Sequence, residues 1–220
     1  MALVWVAQLR PRNLAIVEPA RTALVGALAV LYAALAEQGA PGRRVAIASM
    51  MGSWGVQLAV YMWYGRVRGR PEHHELAALR NRHSDRERSW SFAICQRQAL
   101  ASAFLSLPAL LSVVNPTPEF SPIEYAAAGL WLAGFSGQAT AERRQLAPPS
   151  DAVPDEPPPP PPPSRARRAP DRLFESIIWI AFALFASASP WGWLAATPAA
   201  VAIVKARVLS PAPRVLTTSL

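Results

Sequence analysis

From Ser176 to Val204 the sequence reads SIIWIAFALFASASPWGWLAATPAAVAIV, without a charged side chain. The segment is longer than the roughly 20 apolar residues that one untilted membrane-spanning helix needs. The turn-forming residues Ser-Pro-Trp-Gly at positions 189–192 interrupt it near its middle. The pattern therefore predicts two short helices that form a hairpin. The alternative is one long, tilted helix, which would place the C-terminus on the opposite side of a membrane.

Apolar stretches alternate with polar gaps along the whole chain. The apolar stretches are residues 21–36, 45–64, 90–114, 123–140, 173–189 and 191–209. Backbone groups find no hydrogen-bond partners in lipid, so a spanning segment must be a helix or belong to a closed barrel. Runs of this length favour helices, because barrel strands show alternation over about 10 residues. We expect an all-α, polytopic transmembrane helix bundle with about six spanning helices.

Basic residues are concentrated in alternate gaps between these stretches. Nearly all of the 22 Lys and Arg residues fall on one side of the expected membrane. The exceptions are Arg43 and Arg44 on the other side and Arg97 inside a stretch, where it is expected to snorkel to the interface. The positive-inside rule predicts an integral membrane protein with both termini in the cytoplasm. This topology and anionic lipid headgroups explain the net charge of +8, so no nucleic-acid partner is expected.

A proline-rich segment divides the chain into three parts. Residues 1–146 are expected to form a four-helix membrane part, and residues 171–220 a C-terminal helical hairpin of the same membrane domain. Residues 147–170 contain the unbroken run Pro157–Pro163, which favours an extended polyproline II conformation. We interpret this segment as a disordered cytoplasmic linker. The alternative is a docking strip for a protein partner with an aromatic-lined groove.

Few residues indicate chemistry by themselves. Cys95 is the only cysteine, so no intramolecular disulfide can form, and no Cys/His spacing suits a metal ion. His73 and His74 are interpreted as a solvated pair in a polar loop. Gly129 and Gly134 are expected to permit close contacts between helices. The sequence identifies no catalytic residue.

Several short motifs carry a resemblance to a known family. They are Arg12-Asn-Leu-Ala-Ile-Val-Glu18, Trp54-Gly55, the basic loop at 69–80, GLWLAGF at 129–135 followed by Glu142, LFESIIW at 173–179 and SPWGW at 189–193. In this order and spacing they resemble a family of bacterial integral membrane proteins of unassigned function. That family is related to the C-terminal domain of steroid 5-alpha-reductases, and the resemblance covers most of the chain. It implies that the protein lies in a bacterial inner membrane.

The resemblance implies an NADPH site just before the penultimate helix. The family's Ser-Arg-His-Pro-Asn-Tyr-Phe-x-Glu pattern corresponds to residues 167–175, where Arg168, Pro170 and Glu175 match. Ala169, Asp171 and Arg172 stand where the family has His, Asn and Tyr. Arginine can hold the phosphates of such a cofactor. The cofactor-binding candidates are Glu142, Arg168, Asp171, Arg172 and Glu175. The alternative is that the arginines only set the topology, and that Glu175 only interacts with the dipole at the start of its helix.

Three functions are compatible with these residues. The resemblance implies a membrane reductase-like protein that transfers hydride from NADPH to a double bond of a lipid or sterol-like substrate. The departures at positions 169, 171 and 172 suggest instead a catalytically inactive scaffold or interaction protein, whose proline-rich segment tethers a partner. The third hypothesis is a relative of isoprenylcysteine-type methyltransferases, which place a cofactor at the same corner. Under each of the three hypotheses the protein contacts membrane lipid, and none of them requires a metal ion.

Overall fold

The computed structural model of the protein describes residues 1–9, 14–68, 84–146 and 164–208, with only the backbone for residues 9, 66, 84, 145, 164–172 and 205–208. Within these ranges the secondary structure is helical and contains no strand, which confirms the all-α class. The helices are α1 (Ala2–Leu9), α2 (Val17–Leu35), α3 (Pro41–Met62), α4 (Glu87–Leu105), α5 (Leu107–Val113), α6 (Pro122–Leu146), α7 (Ser164–Ala186) and α8 (Ala196–Val208). The loop pair His73 and His74 and residues 147–163 of the expected linker lie outside the described residues.

Two described helices are long and apolar enough to cross a membrane. One runs over Leu14–Leu35 and includes α2, and the other runs over Pro41–Gly65 and includes α3. Two shorter apolar helical segments, Leu173–Ala186 and Gly192–Val204, have fewer residues than the roughly 20 that a span needs. By length and composition the described residues therefore supply two candidate spans, where the sequence predicts about six.

Helices α2 and α3 cross at a contact made by glycines. A Cβ atom on Gly55 would lie 2.9 Å from the carbonyl oxygen of Thr22 and 3.0 Å from the Cα atom of Gly26. A Cβ atom on Gly26 would lie 3.1 Å from the carbonyl oxygen of Met51. No side chain separates the two backbones, so the helices pack directly against each other. The same crossing directs Met51 and Trp54 of α3 into the buried core.

Helices α6 and α7 run antiparallel and also meet at glycines. A Cβ atom on Gly134 would lie 2.9 Å from Cγ1 of Ile178, and one on Gly137 would overlap the ring of Phe174. Gly134 thus makes the close helix contact expected from the sequence. The same expectation for Gly129 is wrong, because no described atom beyond its own helix lies within 4 Å of a Cβ placed there.

The apolar stretch at residues 90–114 is divided into two helices rather than one. The break between α4 and α5 lies at Ser106, whose hydroxyl donates to the carbonyl oxygen of Ala103 at 2.8 Å. Pro108 has no backbone N–H, so the α-helical hydrogen bonding cannot continue unbroken through this point. The hydroxyl oxygens of Tyr32 and Ser106 are 3.2 Å apart, which ties the break to α2.

The last apolar segment forms two helices, as predicted. Between α7 and α8 the N–H of Gly192 donates to the carbonyl oxygen of Ser189 at 2.8 Å. A Cβ atom on Gly192 would overlap the carbonyl oxygen of Ala186, so this turn requires glycine. Helix α7 begins at Ser164, so residues 164–170 are helical rather than extended. After the proline run, residues 164–169 again have backbone N–H donors, and the Arg and Ala residues among them favour a helix even though Pro170 lacks an N–H.

Three inter-helix turns meet at Asn115. Its side-chain nitrogen donates to the carbonyl oxygen of Ala188 at 3.0 Å, and its side-chain oxygen accepts from the N–H of Thr117 at 3.1 Å. The backbone N–H of Ala40 donates to the carbonyl oxygen of Asn115 at 3.1 Å. The turns after α2, α5 and α7 therefore lie at one end of the bundle, which we call the Asn115 end.

Candidate functional site

A buried polar cluster lies at the other end of the bundle. Glu142, in the last turns of α6, is 4% exposed. It accepts a hydrogen bond from Nε2 of Gln57 on α3 at 3.2 Å and another from Nε2 of Gln138, one turn earlier in α6, at 2.9 Å. We call Gln57, Gln138 and Glu142 the Glu142 cluster, and this end of the bundle the Glu142 end. The cluster joins α3 to α6.

The packing of α6 on α7 determines which residues lie beside this cluster. Gly137 packs against Phe174, and residues further along α6 face residues earlier in α7 because the helices are antiparallel. Glu142 lies five residues beyond Gly137, so this register brings it level with the backbone of residues 168–172. The side chains of the predicted cofactor residues Arg168, Asp171 and Arg172 lie outside the described residues. Their helix nevertheless passes the cluster at the Glu142 end.

Glu175 follows Phe174 and is partly buried on the same helix. Glu175 lies on α7, which packs against α6, the helix that carries Glu142. Both carboxylates are at the same end of the bundle, as residues of one binding site must be. Because α7 begins at Ser164, Glu175 is about three turns inside the helix. The interpretation of Glu175 as a first-turn carboxylate that interacts with the helix dipole is therefore wrong, since that effect is limited to the first turn.

The Glu142 cluster presents hydrogen-bond acceptors to a ligand. The side-chain oxygen of Gln138 is buried, and no donor among the described residues is within hydrogen-bond distance of it. Such an oxygen can accept from a hydroxyl or from an amide N–H. Arg143 and Arg144 follow Glu142 directly and are exposed, so positive charge flanks the buried carboxylate. Acceptors next to cations suit a ligand that carries both donors and negative charge.

An aromatic layer adjoins the cluster on its apolar side. Trp54, which precedes Gln57 by nearly one turn, packs edge-to-face against Trp179 of α7 with ring centroids 5.4 Å apart. Both rings also pack edge-to-face against Phe182, at 5.9 and 5.7 Å. All three side chains are buried. The site therefore combines a polar end with an apolar interior, as sites for partly polar small molecules commonly do.

The sequence profile of DUF1295, a family of proteins of unknown function, matches residues 4–152. The chain belongs to the DUF1295 family. The match includes all three residues of the Glu142 cluster, whereas α7 and α8 lie beyond it. No curated protein and no solved structure matches the chain. Membership thus places the protein in an uncharacterised family without assigning an activity.

A second buried polar group of this DUF1295 protein lies at the Asn115 end. Arg43 on α3 donates from Nε to Oε1 of Glu124 at 2.5 Å and from Nη2 to Oε2 at 2.8 Å. The two side chains are 2% and 1% exposed. Arg43 also donates to the carbonyl oxygen of Glu119 and lies 5.5 Å from the ring centroid of Phe120. In the sequence Arg43 was only an exception to the charge pattern, so its role in this pair was missed.

A capping box is the sequence signal that could have located Glu124. Ser121 and Glu124 form the pattern Ser-x-x-Glu at the start of α6. The N–H of Ser121 donates to Oε2 of Glu124 at 2.7 Å, and the N–H of Glu124 lies 3.3 Å from the Ser121 hydroxyl oxygen. The box predicts a carboxylate in the first turn of a helix. No spacing in the sequence indicates that Arg43, on another helix, is its partner.

Proposed function

We propose that this DUF1295 protein is an integral protein of a bacterial inner membrane, with both termini in the cytoplasm. In this proposal the six crossings are α2, α3, α4 with α5, α6, α7 and α8. The Glu142 end then faces the cytoplasm, and the Asn115 end faces the opposite side. The two candidate spans and the positive-inside pattern support this arrangement.

The distribution of side chains supports the same proposal. Large apolar side chains that are more than half exposed occur along these helices, among them Leu35, Val56, Leu100, Leu132 and Val204. The buried set, in contrast, includes an arginine, two glutamates and an asparagine. Contiguous exposed apolar surface is unfavourable in water and favourable in lipid. Charged side chains in spanning helices face the bundle interior, where they find partners.

The distance between the two buried polar groups fits the thickness of a bilayer. Helices α3 and α6 run parallel, since Arg43 and Glu124 lie near their starts whereas Gln57 and Glu142 lie near their ends. Glu124 and Glu142 are separated by about 27 Å along α6 at the usual rise per residue. The hydrocarbon core of a bilayer is about 30 Å thick. Each polar group would then lie near one membrane surface.

We propose further that the Glu142 end binds NADPH and that the protein is a membrane reductase of the steroid 5-alpha-reductase type. The observation that most supports this proposal is the register of α6 and α7, which brings the backbone of residues 168–172 level with Glu142. Arg168 and Arg172 would hold phosphates, while Glu142, Asp171 and Glu175 would accept hydrogen bonds from hydroxyl groups. The bound NADPH would supply hydride to a double bond, conjugated to a polar group, in a lipid or sterol-like substrate.

The chemistry of the described residues fits one end of such a cofactor. The nicotinamide carboxamide carries N–H donors, and the buried oxygen of Gln138 is an acceptor without a donor among the described residues. The cluster is polar on the side of the cytoplasm and apolar towards Trp54. A carboxylate does not attract phosphates, so Glu142 is assigned to hydroxyl groups rather than to the diphosphate.

A titration of the purified protein in lipid nanodiscs with NADPH tests this proposal. Wild-type protein is expected to enhance NADPH fluorescence and to melt at a higher temperature with the nucleotide, because a ligand that binds only the folded state stabilises it. Arg168→Gln and Glu142→Gln should each weaken binding about tenfold or more. Arg44→Gln and Glu119→Gln change residues at the Asn115 end, and neither should affect NADPH binding. Unchanged NADPH fluorescence and melting in the wild type would exclude an NADPH-dependent reductase.

Restoring the family residues separates an active reductase from an inactive scaffold. The triple variant Ala169→His, Asp171→Asn and Arg172→Tyr recreates the pattern from which the chain departs. If wild type does not bind NADPH but the triple variant does, the chain is an inactive relative on a reductase scaffold. If neither binds, the role is unrelated to NADPH.

A further inference from the structure

One arginine lies within an exposed apolar face of α4. Ala93, Leu100 and Phe104 are exposed on this helix, and Arg97 is exposed between them. Residues three, four and seven positions apart lie on the same side of a helix, so the four side chains form one stripe. We call this stripe the Arg97 face. Its guanidinium has exposed apolar side chains on both sides along the helix.

Arg97 has no partner for its charge among the described residues, where no ion pair or hydrogen bond involves its side chain. The other arginine of an apolar region, Arg43, is instead buried and bonded to Glu124. Charged side chains in spanning helices normally face the bundle interior and find such partners there. In a bilayer the partner of an outward-facing arginine is therefore expected to come from the lipid.

The packing of α4 on α2 gives the direction of α4 in the bundle. Cys95, in the first half of α4, is buried in one cluster with Val17 at the start of α2. Ser106, directly after α4, has its hydroxyl oxygen 3.2 Å from that of Tyr32 near the end of α2. The two helices therefore run parallel, and both begin at the same end of the bundle.

That end is the Glu142 end. Thr22, in the second turn of α2, meets Gly55 of α3, which precedes Gln57 of the Glu142 cluster by two residues. Arg97 follows Cys95 by two residues, so it also lies at the Glu142 end. In the proposed orientation this end faces the cytoplasm, and Arg97 lies in the cytoplasmic leaflet.

The order of polar and apolar side chains on the Arg97 face matches that of a lipid in this leaflet. Helical side chains lean towards the helix N-terminus, which directs the Arg97 side chain towards Ala93 and the cytoplasm. Ala93 is small, so it leaves space beside a guanidinium. Leu100 and Phe104 lie about 4.5 and 10.5 Å further along the helix, towards the centre of the bilayer. A phospholipid likewise has its phosphate at the surface and its acyl chains towards the centre.

We propose that the Arg97 face binds one anionic phospholipid of the cytoplasmic leaflet. The phosphate accepts hydrogen bonds from the Arg97 guanidinium, and an acyl chain lies along Leu100 and Phe104. Guanidinium groups bind phosphate oxygens through two parallel hydrogen bonds. An anionic headgroup adds a net attraction that a zwitterionic headgroup lacks. This inference rests on the membrane orientation in the proposed function and does not depend on NADPH.

Native mass spectrometry of the full chain tests the selectivity for lipid. Delipidated protein in detergent micelles is titrated with phosphatidylglycerol or with phosphatidylcholine that carries the same acyl chains. We expect one phosphatidylglycerol to bind about fivefold more tightly than phosphatidylcholine. Equal affinity for the two lipids overturns the proposal. Displacement of phosphatidylglycerol by an equimolar amount of inorganic phosphate also overturns it, because the acyl chains would then contribute nothing.

Two arginine variants show whether one site or the general surface charge is responsible. Arg97→Gln should weaken phosphatidylglycerol binding about fivefold. Arg144→Gln is the matched control, since Arg144 is an exposed arginine at the same end of the bundle on another helix, and its loss should change the affinity less than about twofold. Equal losses in the two variants would mean that the lipid responds only to net charge, and would overturn the proposal.

A photo-crosslinker locates the bound lipid in the otherwise unchanged chain. Benzoylphenylalanine at position 100, where Leu100 is 73% exposed, is expected to crosslink to phosphatidylglycerol in nanodiscs. Adding Arg97→Gln should lower the crosslinked fraction about threefold or more. The same crosslinker at position 132, where Leu132 is 56% exposed on α6, reports bulk lipid and should not respond to Arg97→Gln. An unchanged fraction at position 100, or an equal drop at both positions, overturns the proposal.

The lipid site and the proposed function fail separately. Selectivity for phosphatidylglycerol that depends on Arg97, together with no NADPH binding, removes the reductase and keeps the lipid site. NADPH binding without this selectivity keeps the cofactor site and removes the lipid site.

Discussion

Arg43 and Glu124 form a two-point ion pair that joins the start of α3 to the start of α6. Both Nε and Nη2 of the guanidinium donate to the carboxylate, and both side chains are almost completely buried. The capping box with Ser121 holds the carboxylate in position, so the pair connects one helix to the N-terminus of another. Together with the hydrogen bond from Gln57 to Glu142, this contact joins α3 to α6 at both ends of the helices.

Removal of one partner of this pair should destabilise the protein strongly. Arg43→Met leaves Glu124 buried without its cation, and we expect the free energy of unfolding to fall by about 3–5 kcal/mol. The measurement is denaturant unfolding in detergent micelles, followed by tryptophan fluorescence.

Arg44→Met is the control for this prediction. Arg44 is partly exposed and donates from Nε to the carbonyl oxygen of Ala33 at 2.8 Å, so its loss should cost only about 1 kcal/mol. The double variant Arg43→Met with Glu124→Leu should recover part of the stability, because it leaves no unpaired buried charge. Equal losses for Arg43→Met and Arg44→Met would contradict a buried pair.

Gly55→Ala should weaken the crossing of α2 and α3. The added Cβ would lie 2.9 Å from the carbonyl oxygen of Thr22, and since backbone atoms cannot move aside, the helices must separate. We expect a loss of about 1–3 kcal/mol, observed as a lower melting temperature.

Gly129→Ala is the matched control, because it makes the same chemical change at a site that is open among the described residues. There the better helix propensity of alanine should stabilise the protein by up to about 1 kcal/mol. Stabilisation by alanine at both positions would show that the α2–α3 contact is looser than described.

Asn115→Ala should loosen the turns at the Asn115 end. The change removes the donor to Ala188 and the acceptor for the N–H of Thr117, and we expect a cost of about 1–3 kcal/mol. Hydrogen–deuterium exchange should rise in the turns after α5 and α7. Thr117→Val, which keeps the backbone N–H and changes an exposed side chain, should cost less than about 0.5 kcal/mol.

Single cysteines should report the proposed topology. In a Cys95→Ala background, Thr117→Cys is expected to react with a membrane-impermeant maleimide from the outside of intact cells, and Arg144→Cys only after the cells are opened. Cys95 is fully buried and should stay unlabelled in the folded wild type. Labelling of both introduced cysteines from the same side would contradict α6 as a crossing helix.

The all-α class could be predicted from the sequence because the apolar stretches have the length of membrane-spanning helices. The break at positions 189–192 was predicted correctly for the same reason, since Ser, Pro and Gly act on the local backbone. The division at Ser106 was missed, although Pro108 was visible, because a proline near the start of a helix and one that breaks a helix look alike in sequence. Prediction from the sequence has the same limit at Gly129 and Gly134, because only the position of the neighbouring helix decides whether a glycine makes a close contact.

For the candidate site, the sequence and the structure contributed different parts. The resemblance selected Glu142 and Glu175, and the structure brings both to one end of adjacent helices. The resemblance did not indicate Gln57 and Gln138 as partners of Glu142. Contacts between an amide and a carboxylate on different helices follow from helix packing and not from spacing along the chain. The buried pair of Arg43 and Glu124 was missed for the same reason.

By itself the sequence determined that this chain forms helices and where its last hairpin turns. These features follow from interactions between residues close in the chain and from the solvent around it. Only the tertiary structure decided that Gln57 faces Glu142, that Arg43 reaches Glu124 and that the indoles of Trp54 and Trp179 come together. These contacts depend on how helices distant in sequence cross, and the crossing is set by glycines such as Gly55 whose neighbours the sequence alone does not reveal.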